Sequence, residues 1–428
     1  MSNGSKREQI YKCGWLWQTG HYAKTKRKGE RGMREGWEYK KLGDVCTIER
    51  GGSPRPIADY ITKSADGINW IKIGDAVEGS KYILFTKEKI RPEGIKKSRF
   101  VHKGDVILSN SMSFGKPYIL GIDGCIHDGW LVLHDNNNTF SKDYLYYVLS
   151  SPIMYSKFTQ LAVGGVVNNL NSNIVREVVV AIPPLSTQLS IVTELDKINE
   201  LIRLKKEQLR DYDNLAQSIF YEMFGDPIEN EKGWEVKKLS SITSKIGSGA
   251  TPKGGNESYK TEGISLIRSL NVHNNEFLYK DLAHIDNEQA EALSNVEIKE
   301  CDVLLNITGA SVARCCIVPD DVIPARVNQH VCIVRTIQEK ALPIFINRVL
   351  TNENFQANLL RLARSKAATR EALPKSIVDN IQVPLPPLSL QQLFAQRIEL
   401  IEQQKAEIKS TMADLETLLA SRMQYWFD

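Results

Sequence analysis

The chain says nearly the same thing twice. Gly36-Trp37-Glu38-Tyr39-Lys40-Lys41-Leu42 returns 197 positions later as Gly233-Trp234-Glu235-Val236-Lys237-Lys238-Leu239. At the same offset Lys103-Gly104-Asp105-Val106-Ile107-Leu108-Ser109-Asn110 becomes Glu300-Cys301-Asp302-Val303-Leu304-Leu305-Asn306-Ile307. After 203 positions Pro183-Pro184-Leu185-Ser186-x-Gln188 becomes Pro386-Pro387-Leu388-Ser389-x-Gln391. A repeat of this size divides the 428 residues into two halves of ordinary domain size, each large enough to bury its own core. Two related but diverged halves suit a target that also has two related but different parts, such as a pair of DNA half-sites.

Within each half the order of parts is the same. Residues 36–182 and 226–385 carry strand-like runs such as Ile68-Asn69-Trp70-Ile71-Lys72-Ile73 and Asp105-Val106-Ile107-Leu108, broken by Gly, Asn, Asp and Pro, and predict mixed α/β (α+β) domains. A Pro-Pro pair then ends each domain, with Ser186 expected to cap the helix that follows and Ser389 with Gln392 expected to form a capping box. Residues 183–225 and 386–428 predict one long helix each. The first carries a seam at Leu195, Ile198, Ile202, Lys205, Leu209, Tyr212, Ala216, Ile219 and Met223, in steps of three and four. The second repeats it as Ile398, Ile401, Lys405, Ile408, Met412, Leu415 and Leu419. A helix of about 38 residues is roughly 57 Å long, more than either domain needs for its own packing. The two helices are expected to pack antiparallel on each other within the chain, as a coiled-coil spacer in a pseudo-twofold molecule.

Charge is unevenly spread. The net charge is +4, and residues 1–35, with nine Lys/Arg against three Asp/Glu, supply more than all of it. Any nucleic-acid surface must therefore be a local patch. That basic segment reads as a disordered leader or as the product of a start placed too early, with Met33 as the alternative start. The seven cysteines are odd in number and form no C-x-x-C pair, so they suggest neither a disulfide framework nor a zinc site. No apolar run approaches the roughly 18 residues of a membrane span, and a cytoplasmic location is expected.

Little in the chain points to catalysis. It has no Asn-Pro-Pro-aromatic tetrapeptide of the amino-methyltransferase kind and no Walker-type phosphate loop, and Gly247-Ser248-Gly249 lacks the partners of a dinucleotide site. Glu297-Ile298-Lys299 matches the tail of a nuclease motif, but no acid on a preceding strand completes it. His127-Asp128 is the nearest thing to an acid/base pair. In the second half its place is taken by the region Arg326-Val327-Asn328-Gln329-His330, whose Asn, Gln and Arg are side chains that bond adenine and guanine edges.

Taken in order, "GWEYKKLGDV" and "GWEVKKLSSI", the "GSGATPKGG" loop, "PPLSTQ", "PPLSLQQ" and "LAQSIFYEMFGDP" resemble the specificity subunit of type I restriction-modification systems. The likeness covers the chain from about residue 34. It implies a non-catalytic subunit with two target-recognition domains, each followed by a long helix, reading an asymmetric, interrupted site on double-stranded DNA. It also implies that catalysis belongs to partners: two modification subunits that use S-adenosylmethionine, and restriction subunits that use ATP and Mg²⁺. No cofactor or metal is expected on this chain. Matching loops of the two halves then supply candidate DNA contacts: Arg55 against Lys253, Lys72 against Arg268, Ser109-Asn110-Ser111 against Asn306-Ile307-Thr308, Asn168-Asn169 against Thr369-Arg370, together with Asn328 and Gln329. The competing readings are a self-sufficient DNA-modifying protein and a coiled-coil scaffold that does not read DNA.

Overall fold

The repeated phrases turn out to be the joints of the fold. A computed structural model of the chain describes residues 34–77, 79–110, 114–135, 137–162, 170–365 and 371–428. All but the last two residues of the expected basic leader, 1–35, lie outside them. In the first half the strand Glu38–Lys41 pairs antiparallel with Val179–Ile182, and in the second Glu235–Lys238 pairs with Gln382–Leu385. The "GWE-x-KK" text therefore closes each domain onto the strand that leaves it. Just beyond, Pro183-Pro184 and Pro386-Pro387 end that ladder, because proline offers no N–H to continue it.

Each domain is built on two sheets. In the first, one sheet runs Cys46–Arg50, Trp130–Asp135, Val106–Ser109, Pro117–Leu120, Tyr82–Ile83, and the other runs Ile61–Thr62, Glu88–Ile90, Ile68–Ile71, Gly124–Ile126, Arg99–Val101. In the second, the corresponding sheets run Thr243–Ser248, Val331–Thr336, Val303–Asn306, Cys315–Ile317 and Ala283–Ile285, Ile264–Ile267, Ala325–Val327. The central strands bury nearly every residue, as in Val106–Ser109 and Val303–Asn306, since both faces carry packed side chains. The turn before each of these strands explains another repeated phrase. Gly104 sits at φ 91° and Cys301 at φ 64°, both left-handed, and the following Asp105 and Asp302 each accept a hydrogen bond from the backbone N–H three residues back, His102 and Lys299, at 2.8 Å. Opposite that aspartate the halves differ: His134 Nδ1 lies 3.6 Å from Asp105, whereas Arg335 makes a two-pronged pair with Asp302 at 2.7 Å per bond.

The long helices span Leu185–Phe224 and Leu388–Phe427, 40 residues each. Both begin right after the second proline, so Ser186 and Ser389 lie inside the first turn and do not cap. The expected capping box is absent for that reason, and Gln392 is exposed. A different residue of the same phrase locks the helix start. Gln188 accepts from Ser141 N–H at 2.8 Å and donates to the carbonyls of Thr139 and Pro183 at 3.0 Å each. Gln391 accepts from Leu342 N–H at 2.9 Å and donates to Pro386 at 2.9 Å and Lys340 at 3.4 Å. After Phe224 the first helix ends in Gly225 at φ 75°, with its N–H on Tyr221, and the Trp234 indole donates to the Phe224 carbonyl at 2.9 Å.

The chain folds into two compact units that do not coincide with its sequence halves. One unit holds the residues up to Lys206 together with Lys409–Asp428, and the other holds Glu207–Ile408. Each unit thus contains one domain, the start of its own long helix and the end of the other. Inside the second unit the helices run antiparallel: Lys405 pairs with Asp213 at 2.7 Å, while Phe394, earlier on its helix, meets Phe224, later on the other, edge to face with ring centroids 5.2 Å apart. Inside the first unit Glu194 is paired with Arg422 and accepts from the Trp426 indole at 3.0 Å.

The seam is buried most fully over the first half of each helix and less so over the second. Leu195, Ile198, Ile202, Ile398, Ile401 and Ile408 are buried, and Leu209, Tyr212, Ile219, Met412, Leu415 and Leu419 are half-buried. Near the ends Phe220, Phe224 and Phe394 carry the burial instead. There the two helices still touch, ring to ring, and enter a domain core alongside Phe345, whose ring centroid lies 5.0 Å from that of Phe224. None of the described helices is long and apolar enough to cross a membrane.

Candidate nucleic-acid interface

Ladder registers align the two domains residue by residue where their loops gather. Trp130 faces Ser109 as Val331 faces Asn306, Leu131 faces Arg50 as Cys332 faces Ser248, and Ile126 faces Ile71 as Val327 faces Ile267. These pairings make His127 the counterpart of Asn328, Asp128 of Gln329, Gly129 of His330, and Ser53 of Thr251. The local bonds agree. His127 Nδ1 accepts from Gly129 N–H at 3.0 Å, and Asn328 Oδ1 accepts from His330 N–H at 3.0 Å, so different side chains make one turn. Likewise the Ser53 hydroxyl donates to Asp128 at 2.8 Å, and the Thr251 hydroxyl donates to Gln329.

In the first domain these residues form a carboxylate ringed by donors. Asp128 Oδ1 also lies 2.8 Å from His127 Nε2, its Oδ2 faces Arg55 at 3.8 Å, and its backbone carbonyl accepts from Arg50 and Asn110 at 2.9 Å each. Burial pushes the Asp128 carboxyl up, but the Ser53 hydroxyl and the charges of His127, Arg50 and Arg55 outweigh it and hold the group below the ordinary carboxylate range. Burial moves His127 the other way, below the ordinary histidine value; Asp128 opposes that shift, and Arg55, Lys72 and Arg50 reinforce it. At neutral pH the pair is therefore an ionised acid beside a neutral imidazole. In the second domain the equivalent place is an amide network without a carboxylate: Gln329 Nε2 lies 3.1 Å from His330 Nε2, and His330 Nδ1 contacts the Thr308 hydroxyl.

The sequence candidates divide by exposure. Arg55, Lys253 and Gln329 are exposed at the loop surface, and Thr308 is half-buried beside them in its own domain. Lys72 and Arg268 open matching short turns, where Asp75 and Asn271 accept from their backbone N–H groups; Lys72 is paired with Glu88 at 2.6 Å, and Arg268 stacks 5.2 Å over Tyr259. Ser109, Asn110, Asn306 and Asn328 are 0–4% exposed. Ser109 Oγ accepts from Lys116 N–H at 2.8 Å, and Asn306 donates to Ser269 at 2.9 Å and Val272 at 3.3 Å. In this structure these four are enclosed by their own loops rather than reaching outward, with the amide N–H groups of Asn110 and Asn306 bonded inside and their Oδ1 atoms left without a hydrogen-bond partner. Ser111, Asn168, Asn169, Thr369 and Arg370 lie outside the described residues.

Several residues of the site were missed in the sequence. Ser53, Thr251 and Arg50 carry no motif, and Asp128 reads in the sequence only as half of an acid/base pair; the parallel of Ser-Pro-Arg with Thr-Pro-Lys is the one available signal. Glu297 and Arg326 have structural roles, with Arg326 buried, 3.6 Å from Glu297 and bonded to the Ala290 carbonyl at 3.1 Å. Among the described residues no group of three or more His, Cys, Asp or Glu side chains could hold a metal ion.

Comparison with known proteins adds a consistent picture. The sequence model of a family described as "Type I restriction modification DNA specificity domain" matches twice, over residues 34–211 and 231–414. The specificity subunit of the type I restriction enzyme MjaVIII of Methanocaldococcus jannaschii is 22% identical over 398 residues, 88% of this chain and 88% of that one. The MjaIX specificity subunit of the same organism is 25% identical over 252 residues, which span 54% of this chain and 57% of that subunit. The EcoBI specificity subunit of Escherichia coli is 20% identical, covering 86% of this chain and 79% of its own. In fold, the chain resembles a chain from a study of complex assembly and conformational transition of the type I R-M system, with TM-score 0.59, 18% identity, and coverage of 92% and 98%. It also resembles the S subunit of a type I system from M. genitalium, with TM-score 0.52, 13% identity, and coverage of 94% and 98%.

Proposed function

Because the chain belongs to the type I restriction-modification DNA specificity family, we propose that it reads an asymmetric DNA site in two parts, one part per domain. It is a specificity subunit: DNA target recognition is its work, and catalysis resides in partner subunits. The observation that carries the two-part reading is the exchange of side chains at equivalent positions of one backbone, Asp128 for Gln329 and His127 for Asn328, while the bonds that shape the turn stay the same. A shared frame with exchanged polar groups gives two domains of the same shape that prefer different base edges.

We assign the chain two modification subunits and restriction subunits as partners, with S-adenosylmethionine, ATP and Mg²⁺ acting on them, and a cytoplasmic location. Methylation at adenine is the expected output. Sequencing the methylome of cells that express the chain with its modification partner should reveal N6-methyladenine at one bipartite motif. Replacing residues 36–182 with the corresponding part of a relative should alter one half of that motif and leave the other intact. Active partners that methylate no defined motif would overturn this reading.

A further inference from the structure

We propose that Asp128 and Gln329 are the equivalent base-reading side chains of the two domains, Asp128 selecting a base that presents an amino hydrogen and Gln329 selecting adenine. The proposal rests on the two-part DNA reading above and names the chemistry at one position in each part.

Both side chains stand at the same point of the backbone, two residues past the ends of the strands Gly124–Ile126 and Ala325–Val327, in the shared turn. A hydroxyl from the opposite loop steadies each of them, Ser53 in one domain and Thr251 in the other. That loop comes close because of glycine. A Cβ on Gly51 would stand 2.2 Å from the His127 carbonyl oxygen, and one on Gly249 would stand 1.9 Å from that of Val327, so neither position accepts a larger residue without moving the loop. An exposed cation follows each steadying hydroxyl by two residues, Arg55 after Ser53 and Lys253 after Thr251, and Arg55 lies 3.8 Å from Asp128; a steadied polar side chain with a nearby cation is what base reading next to phosphate contacts requires.

What each group has left to offer follows from the bonds already made. Asp128 uses Oδ1 for Ser53 and His127, while Oδ2 is 3.8 Å from Arg55, outside hydrogen-bond range, with its side chain 33% exposed. An ionised carboxylate only accepts. It can bond the N4 amino group of cytosine or the N6 amino group of adenine, and it faces only acceptors on guanine O6/N7 and thymine O4. Gln329 accepts from Thr251 and lies 3.1 Å from His330 Nε2. The imidazole tautomer protonated on Nδ1 satisfies both its contacts, accepting from Gln329 and donating to Thr308. Gln329 then keeps one N–H and one oxygen lone pair, the combination that pairs with adenine N7 and N6.

Methylome sequencing of the full chain with its modification subunits tests this with two isosteric changes. Asp128→Asn adds a donor and should newly admit guanine, whose O6 and N7 accept, at one position of one half-site. Gln329→Glu removes a donor and should lower the preference for adenine about tenfold or more at one position of the other half-site. Each change should leave the opposite half untouched. If the wild-type motif is bipartite and both variants keep it unaltered, the proposal is overturned while the two-part reading stands. A wild type without a motif overturns both. Should either variant fail to assemble, Ser53→Ala and Thr251→Ala decide: discrimination at the same positions should fall while the preferred base stays, and undiminished discrimination overturns the proposal.

Discussion

Two glutamines carry more structure than their polarity suggests. Gln188 and Gln391 are 1% and 0% exposed, and each ties the first turn of a long helix to the chain ahead of a domain's helical layer, at Thr139 and Ser141 or at Lys340 and Leu342. Truncation would strand a half-buried backbone N–H and at least one carbonyl, and such unsatisfied groups cost about 1–3 kcal/mol each where water does not replace the partner. Gln188→Ala and Gln391→Ala are therefore expected to lose about 2–3 kcal/mol in urea unfolding. Exposed Gln392→Ala should change stability by less than about 0.5 kcal/mol. The repeated Pro-Pro-Leu-Ser-x-Gln made these glutamines visible as text, but pattern rules assign helix starts to serine, and Ser186 and Ser389 drew that role. The partners of Gln188 stand 47 and 49 residues away, so no local rule could find them. The site residues had the same fate: Ser53 meets Asp128 across 75 positions, and only the folded ladders bring them together.

Both long helices were legible at the level of the element, since their periodicity is local and Gly225 and Pro227 mark the stop of the first. Which residues they bury was only partly legible, because a heptad assumes one partner throughout. Phe220, Phe224 and Phe394 meet each other across the helices and pack on Phe345 of the domain as well, a second partner that a heptad does not encode. The polar seam position shows what the middle of the contact tolerates. Lys405 is 8% exposed, paired with Asp213 at 2.7 Å and Glu402 at 3.1 Å, and Glu402 also binds Arg348 at 3.0 Å. Burial lowers the Arg348 pKa, with Glu402 and Asp213 pulling it back up, so Glu402 is the charge that keeps this guanidinium compensated. Glu402→Ala removes a partner from two cations at once, and its expected cost is about 1–3 kcal/mol, below the figure for a fully buried pair because Glu402 is half-exposed. Lys405→Leu leaves Asp213 and Glu402 in reach of water and extends the apolar seam. It should be neutral or stabilising by up to about 1–2 kcal/mol. Urea unfolding of the two variants side by side checks the contrast, and equal losses would contradict it.

On the scale of the whole molecule, the duplication correctly announced two domains, yet sequence order misleads about which residues complete each one. The last stretch of the chain belongs to the first unit: Met423 is buried in its core, Leu419, Trp426 and Phe427 pack against that core, and Arg422 and Trp426 hold Glu194. Glu194 is kept below the ordinary glutamate range chiefly by its bond to Arg422, with the Trp426 indole adding to it against the opposing effect of burial. A repeat seen as text places each helix with the domain that precedes it; antiparallel pairing instead hands the end of each helix to the other domain's unit. The consequence is unequal damage on truncation. A chain ending at Ile408 keeps every residue of the second unit and removes the cover from Ile191 and Leu195 in the first. Hydrogen exchange on that truncated chain should show amides of Val106–Ser109 and Trp130–Asp135 losing protection, while those of Val303–Asn306 and Val331–Thr336 keep theirs. Equal loss in both sets of strands would mean that the two units do not hold their cores independently.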